Sequence, residues 1–409
     1  MMNRRLHSLK WSYRKNAYDI AGVLGRQFPD FILSNNPKPI KNQVPVFVLH
    51  GVKPEPFTQQ LEYLKTNGYR TLNADELYAV LTNQHQCPEN AIALTFDDGW
   101  SNMYSVAFPL LKKYGFQAIC FLVPGLIQES APKQITLEDV WAGKAALADV
   151  QSRDFADSPL STWEEIAEMH ASGIVDFQAH TMYHHLVATS PKLIDFIHPA
   201  FPYYRFGPIN VPVYLQNGNE LVSRQLPLGT PIYDAEPRLY GKYRFYDPEL
   251  LRQACVEFVN QNGGNEFFRK SDWRTELTTF FSRTKQELND KGRYETQADL
   301  EQDILRDLEQ TKQILEKCLP GKKVQHLCYP WFLGSETAVK MSREAGYIAN
   351  YWGTLFNNPV PRPGTDPFYI SRTEDIYIYR LPGDGRKSLS SLMKQKIRHF
   401  LPGFLKTIK

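Results

Sequence analysis

Short runs of Val, Ile and Phe alternate along the chain with segments of helical periodicity, and most of these helical segments stop at a glycine. Fully apolar runs of this length indicate strands that are buried on both faces, as in parallel sheets. Parallel strands need right-handed crossover helices between them. Strand-like runs occupy 45–50, 91–96, 117–123, 174–180, 324–329, 347–352 and 368–371. The alternation predicts an α/β fold, a distorted (β/α)7–8 barrel.

About a hundred residues interrupt this alternation. Residues 190–292 are rich in Pro, Tyr and Phe and have no clear period. A structureless loop of that length is rare inside a compact domain. We therefore expect 190–292 to be an inserted subdomain between two barrel segments, 43–189 and 293–385. A basic extension at 1–42 and a basic amphipathic helix at 386–409 complete the expected organisation.

Charge is distributed unevenly along the chain. The formal net charge is only +3, which argues against nucleic acid as a partner bound through bulk electrostatics. Residues 1–42 carry eight Lys/Arg against two acids, and residues 386–409 carry seven Lys/Arg and no acid. Basic tails of this kind either contact an anionic membrane peripherally or are simply solvated, and the sequence leaves both interpretations open.

The sequence also carries signals about the compartment. No apolar run has the length of a signal peptide or reaches the ~20 residues of a membrane-spanning helix. Five cysteines are scattered without a C-x-x-C pair, which favours a reducing compartment. We therefore expect a protein that is cytoplasmic or peripheral to the inner membrane.

Two adjacent carboxylates, Asp97 and Asp98, follow the strand predicted at 91–96, in the sequence TFDDG. Because side chains alternate along a strand, the two carboxylates point in different directions. Such a pair can divide the work, with one carboxylate binding a metal and the other acting as a base. The alternative is a turn that merely ends a strand.

Three histidines fall within six residues after the strand predicted at 174–180. His180 and His184 are four residues apart, and His185 adjoins them. Two histidines at this spacing, together with a carboxylate from another strand end, form a set typical of a metal with open positions for water and substrate. His185 is expected to point elsewhere, as a packing or hydrogen-bonding residue.

The order of these motifs resembles the polysaccharide deacetylase family, the NodB-homology enzymes (carbohydrate esterase family 4-like). The motifs are TFDDG at 95–99, H-x-x-x-H at 180–184 and the Tyr-Pro turn at 329–332, with further similar segments at 115–123 and 160–173. The resemblance covers 45–187 and 297–375. It implies a NodB-type barrel and the metal-dependent removal of N-acetyl groups from an aminosugar-containing oligo- or polysaccharide.

The resemblance implies a role for each matching residue. Asp98, His180 and His184 would hold a divalent metal, most often zinc in this family. Asp97 would be the general base. Such a metal lowers the pKa of its water towards about 7 and polarises the acetyl carbonyl.

The Tyr-Pro turn is the third element that the resemblance implies. Tyr329, Pro330 and Trp331 would bind substrate, and a backbone N–H near Tyr329 would help to hold the oxyanion.

Two family features are missing from this sequence. Many members carry an Arg just before the Tyr-Pro turn to orient the base, but 324–328 has none, and we expect Arg372 to replace it. Many also carry a late Leu-x-His that supplies the general acid, and nothing after Tyr329 matches it. His50, in VLHGV, resembles the early histidine of a permuted subgroup that includes biofilm exopolysaccharide deacetylases. We expect His50 to be the acid, with His326 as the weaker candidate.

Aromatic segments at 201–204, 240–246 and 351–352 either stack on sugar rings or belong to the core, and we favour core.

Two other functions stay open beside a hydrolase of carbon–nitrogen (non-peptide) bonds. One is an amidase or deformylase that acts on a small or lipid-linked aminosugar. The other is a catalytically silent glycan-binding protein that kept the fold. The intact set of Asp97, Asp98, His180 and His184 argues against silence.

Overall fold

The computed structural model describes residues 21–150, 159–184, 186–201, 214–216, 219–221 and 226–396. Its strands are β1 (Val46–Leu49), β2 (Arg70–Thr71), β3 (Ala91–Asp98), β4 (Ala118–Leu122), β5 (Val175–Ala179), β6 (Leu186–Phe196), β7 (Tyr214–Gln216), β8 (Asn219–Leu221), β9 (Pro231–Pro237), β10 (Phe245–Tyr246), β11 (Arg293–Tyr294), β12 (His326–Cys328), β13 (Ala349–Tyr351) and β14 (Thr373–Glu374). Its helices are α1 (Asp30–Leu33), α2 (Pro54–Thr66), α3 (Ala74–Leu81), α4 (Phe108–Tyr114), α5 (Leu137–Trp141), α6 (Trp163–Ala171), α7 (Glu249–Gln261), α8 (Trp273–Leu288), α9 (Gln297–Cys318) and α10 (Glu336–Glu344).

Eight of the described strands form one sheet in the order β13–β12–β5–β4–β3–β1–β14, with β2 paired to β3. All of these pairings are parallel. Thr373 pairs with Phe47 of β1, whereas Ile370, three residues earlier, pairs with Tyr351 of β13. The segment 370–374 therefore joins the two edges of the sheet and closes it into a barrel. The predicted α/β barrel is confirmed.

Alternation along β3 decides which side chains reach the barrel interior. Ala91 and Ala93 belong to a buried cluster that includes Phe121 of β4. Phe96 has the opposite parity, and its ring lies 5.7 Å from the ring of Phe57 in α2. Because residues of one parity share a face, Asp97 lies on the interior side of the barrel wall.

Helix ends follow the local signals in the sequence. Thr162 caps α6 by accepting a hydrogen bond from the backbone N–H of Glu165, whose side chain accepts one from the N–H of Thr162 in return. Gly115 ends α4 with φ of 71°, a left-handed conformation that glycine adopts without steric cost. A π-helical turn, Met103–Ala107, directly precedes α4.

The strand predicted at 368–371 is wrong. Residues Pro367–Tyr369 form a 3₁₀ turn, in which the side chain of Asp366 accepts a hydrogen bond from the N–H of Phe368. Pro367 at the first helical position favours the same turn. The last strand is β14 instead.

The described residues separate into two compact units, one within 21–183, 307–334 and 339–396, and the other within 184–306 and 335–338. The expected insertion, 190–292, falls inside the second unit. In that unit β6 and β9 pair antiparallel, as do β10 and β11. Its buried core includes Phe196, Leu251, Cys255, Phe267, Trp273 and Leu277.

Part of the expected N-terminal extension is built into the first unit. Arg380 donates hydrogen bonds to the carbonyl oxygens of Ile32, at 2.8 Å, and Ser34, at 2.6 Å. Residues 1–20 and 397–409, which carry most of the basic tails, lie outside the described residues, as do His185 and most of 201–204. Within the described ranges, every helix is too short or too polar to cross a membrane.

Candidate functional site

The candidate residues lie at the carboxyl ends of the barrel strands. Asp97 and Asp98 end β3, while His50, His180 and Tyr329 directly follow β1, β5 and β12. Because these strands are parallel, their carboxyl ends meet at one rim of the barrel, where functional residues of such barrels concentrate.

Asp98, His180 and His184 form a convergent group. One potential ligand atom from each of the three lies within 4.8 Å of the others. His180 Nε2 is 3.5 Å from Asp98 Oδ1, and all three side chains are buried. One carboxylate and two imidazoles are a donor set that catalytic zinc sites use. The three residues can therefore hold a divalent cation.

Backbone contacts prepare His180 for this role. Its Nδ1–H donates to the carbonyl oxygen of Cys328 at 2.9 Å, which leaves Nε2 facing Asp98. Burial lowers the pKa of His180 to about 4, although the neighbouring Asp97 carboxylate opposes this change. The imidazole is thus neutral near pH 7, the form that binds a metal.

The pKa of Asp98 is shifted upwards, in contrast to that of His180. Burial and the adjacent Asp97 carboxylate raise its pKa to about 8, while the indole N–H of Trp100 donates to Asp98 Oδ2 at 2.8 Å and opposes the rise. A divalent ion between Asp98 and the two imidazoles would compensate for the burial of this carboxylate. The environment of Asp98 therefore fits a cation.

Asp97 is paired with Arg372. The Arg372 guanidinium donates from Nη1 to Asp97 Oδ1 at 2.6 Å and from Nη2 to Oδ2 at 2.9 Å. Burial alone would raise the pKa of Asp97, but Arg372 and the nearby His180 hold it well below its usual range. Arg372 is itself held by Thr95 Oγ1 at 3.1 Å and by the carbonyl of Trp352 at 2.9 Å. Arg372 therefore lies beside Asp97, as predicted from the sequence.

The two candidate acids lie at opposite ends of the barrel. His50 is exposed at the end of β1, and a charge on it lowers the pKa of both Asp97 and His180. His326 begins β12 and is fully buried, with Nε2 3.0 Å from Oδ1 of Asp75. Only His50 shares the rim with Asp97.

The Tyr-Pro turn is partly buried. Tyr329 is fully buried, and its hydroxyl accepts a hydrogen bond from Nδ2 of Asn350 at 2.6 Å. Pro330 is buried as well. Trp331 is partly exposed. Substrate binding by Tyr329, Pro330 and Trp331 stays a prediction.

Left-handed backbone at residues other than glycine recurs around this rim. The described residues concerned are Asp98, Thr181, His184, Trp331 and Phe332, with φ between 51° and 77°. Each such residue costs of order 1–3 kcal/mol, and these conformations cluster at functional sites. The strain marks the same residues that the motifs single out.

Two further side chains, which the motifs did not assign to the site, lie beside the Asp97–Arg372 pair. Cys328 Sγ lies 3.6 and 3.7 Å from the carboxylate oxygens of Asp97. The ring of Phe332 lies 5.4 Å from the guanidinium carbon of Arg372. The position of Cys328 directly before the Tyr-Pro turn was a signal for its location. Phe332 lies within that turn, but nothing in the sequence indicated its contact with Arg372.

Comparison with known proteins matches residues 84–194 to the polysaccharide deacetylase family model. The poly-beta-1,6-N-acetyl-D-glucosamine N-deacetylase of Escherichia coli K12 is 25% identical over 135 residues, covering 33% of this chain and 18% of that protein. The Staphylococcus epidermidis protein of the same name is 26% identical over 153 residues, covering 37% of this chain and 42% of that protein. Both matches span less than half of the relative.

Among solved structures, a deacetylase domain from Bordetella bronchiseptica aligns with 82% of this chain and 97% of its own, at 16% identity and a TM-score of 0.49.

The segment that matches the family model, 84–194, is shorter than the two segments, 45–187 and 297–375, that the motifs led us to expect. It nevertheless contains Asp97, Asp98, His180 and His184. The resemblance indicated by the motifs is confirmed: residues 84–194 match the polysaccharide deacetylase family.

Proposed function

We propose that the chain is a metal-dependent hydrolase that removes N-acetyl groups from a glycan containing N-acetylglucosamine. The observation that carries the proposal is the convergence of Asp98, His180 and His184 beside an ionised carboxylate, Asp97. The family match and the names of the two curated relatives support the substrate class.

The ligands of the ion would be Asp98, His180 and His184. Two imidazole nitrogens and one carboxylate oxygen favour zinc among the divalent ions. When bound, such an ion acidifies water and polarises an acyl carbonyl.

Asp97 accepts the proton of the attacking water. Arg372 fixes both carboxylate oxygens and keeps the group ionised across the physiological range. A carboxylate with so low a pKa is a weak base, so it can act only on water that has already been acidified. Arg372 thus positions the base and also sets its strength.

His50 protonates the leaving amine. That nitrogen must gain a proton as the carbon–nitrogen bond breaks. His50 is exposed on the same rim as Asp97 and close enough to influence its pKa. The exposed imidazole can therefore approach a bound sugar, whereas the buried His326 cannot.

The partner of this site is an N-acetylated oligo- or polysaccharide. Peripheral contact of the basic tails with an anionic membrane stays a prediction, because residues 1–20 and 397–409 lie outside the described part of the chain.

Acetate release from defined N-acetylated oligosaccharides tests the proposal. The panel includes β-1,6-linked N-acetylglucosamine oligomers, β-1,4-linked oligomers and an N-formyl analogue. Each is assayed after chelation and again after zinc is restored. We expect acetate release that disappears on chelation and returns with zinc. Formate release alone would identify a deformylase, and glycan binding without any release by the zinc-loaded protein would identify a silent binding protein.

A further inference from the structure

Phe332 adopts a backbone conformation that an aromatic residue rarely takes. Its φ is 64°, and that of the preceding Trp331 is 58°. Glycine occupies this left-handed region freely, whereas a residue with a Cβ meets a steric penalty there. A turn of this shape therefore favours glycine at position 332 on backbone grounds.

The turn does not depend on the Phe332 side chain. The N–H of Phe332 donates to the carbonyl of Tyr329, and the N–H of Leu333 donates to that of Pro330, each at 3.1 Å. The hydroxyl of Tyr329 accepts a hydrogen bond from the side chain of Asn350. These bonds use backbone atoms and a different side chain, so glycine at 332 would preserve them.

The ring of Phe332 lies beside two functional side chains. It meets the imidazole of His50 edge-on, with centroids 6.1 Å apart and planes at 84°. It also lies 5.4 Å from the guanidinium carbon of Arg372. Both separations are within the range of favourable aromatic and cation–π contacts. One ring thus touches the candidate acid and the partner of the candidate base.

A nearby glycine leaves room for this ring. A Cβ placed on Gly353 would lie 2.5 Å from Cβ of Phe332. The carbonyl of Gly353 accepts a hydrogen bond from the N–H of Arg372 at 3.3 Å. The absence of a side chain at 353 therefore lets Phe332 and Arg372 pack together.

We propose that Phe332 is a positioning residue, whose ring restricts the imidazole of His50 and covers the Asp97–Arg372 pair at the cost of a left-handed backbone. Its kinetic consequence rests on the proposed function. The ring contact with His50 does not, and it can be measured without any substrate.

The first experiment replaces the ring by the residue that the backbone favours. Phe332→Gly is expected to leave Tm unchanged or raised, because the left-handed conformation is relieved. The same variant should lower kcat about tenfold or more with a smaller change in KM, because a misplaced acid slows the chemical step. Phe332→Tyr keeps a ring and should retain most of kcat. A lowered Tm with an unchanged kcat for Phe332→Gly would show that the ring serves packing alone.

Two double variants separate positioning from general damage. In a His50→Ala background, Phe332→Gly should cost much less than it does in the wild type, because the group that it positions is gone. Gly353→Ala should lower kcat in the wild type by displacing Phe332 and cost little in the Phe332→Gly background. Full additivity in both cycles would overturn the proposal.

A spectroscopic measurement keeps this inference distinct from the proposed function. With 13Cε1-labelled histidine, the His50 resonance, assigned by its loss in His50→Ala, should move in Phe332→Gly as the ring current is removed. It should stay near its place in Phe332→Tyr. A His50 signal that is identical in the wild type, Phe332→Gly and Phe332→Tyr would refute the contact between the two rings, whatever the glycan assays show. A moving signal without acetate release would refute the proposed function alone.

Discussion

Two buried histidines in the barrel each face an aspartate, and only one of the pairs belongs to the candidate site. At the carboxyl ends of the strands, His180 lies 3.5 Å from Asp98 and both side chains are buried. At the amino ends, His326 lies 3.0 Å from Asp75, whose side chain is 72% exposed. The pKa values of the two carboxyls move in opposite directions, raised for Asp98 by burial and lowered for Asp75 by the hydrogen bond from His326.

This difference shows what distinguishes a candidate site from a structural contact. The carboxylate of Asp75 is solvated and also accepts a hydrogen bond from His326. This hydrogen bond connects α3 to the start of β12. Burial and the adjacent Asp97 carboxylate disfavour the ionised form of Asp98. A third potential ligand, His184, lies close to Asp98 and His180. A histidine–aspartate contact is therefore uninformative by itself. Convergence of several donors on one buried point is the informative feature.

The strongest test of the difference between the two histidine–aspartate pairs is to replace the aspartate of each. Asp98→Asn should lower zinc affinity by more than about 100-fold, since even supporting residues outside the ligand set cost 10–100-fold. Asp75→Asn should leave zinc affinity unchanged. Competition with a chromophoric chelator measures both. Equal losses in the two variants would mean that the ion is not held at the carboxyl rim.

The next largest effect concerns the base. Asp97→Asn should lower kcat by about 10²–10⁴-fold while zinc content stays at the wild-type level, because in the proposed mechanism the residue moves a proton and does not hold the ion. Acetate release and elemental analysis on the same preparation test this. Loss of zinc together with activity would place Asp97 among the ligands instead.

The two candidate acids give a third contrast. His50→Ala should lower kcat about 100-fold with little change in Tm, since its side chain is exposed. His326→Ala should destabilise the protein by about 2 kcal/mol through a cavity and a lost hydrogen bond, with kcat per folded molecule unchanged. Denaturant unfolding and steady-state kinetics separate these outcomes. A kinetic defect confined to His326→Ala would reverse the assignment.

The last contrast, which involves no change in activity, tests whether a raised pKa alone marks a site. Burial raises the pKa of Asp247 to about 6 despite its ion pair with Arg252 at 2.9 Å. The folded chain then holds a proton that the unfolded chain releases near pH 4. The contribution of Asp247 to the free energy of unfolding should therefore fall as pH rises from about 4 to 6, by at most about 3 kcal/mol.

Asp247→Asn should flatten this part of the pH profile without altering acetate release. Unfolding by urea at several pH values provides the measurement. Parallel pH profiles for the wild type and Asp247→Asn between pH 4 and 6 would contradict the raised pKa of Asp247.

The sequence allowed the prediction of those parts of the site that are encoded locally. Asp97 and Asp98 follow an apolar run, so their place at a strand end could be predicted, and the four-residue spacing marked His180 and His184. Arg372 could be predicted only from the lack of an arginine before the Tyr-Pro turn.

The remaining features depend on tertiary contacts. The left-handed backbone at Phe332 gave no signal, because a glycine is the usual mark of such a turn. The last strand was predicted at the wrong residues. Segment 370–374 is defined by its pairing with two strands distant in sequence and has little strand propensity of its own. The burial of Tyr329 depends in the same way on Asn350, which is distant from it in sequence.

Closure of the barrel has a consequence for the order in which the molecule matures. The segment that joins the two sheet edges also carries Arg372, which is separated from Asp97 by 275 positions in the chain. During synthesis from the amino terminus, Asp98, His180 and His184 all leave the ribosome long before Arg372 does. Until that segment docks, the carboxylate of Asp97 lacks its partner. The pairing of Asp97 with Arg372 is thus one of the last contacts that the growing chain can complete.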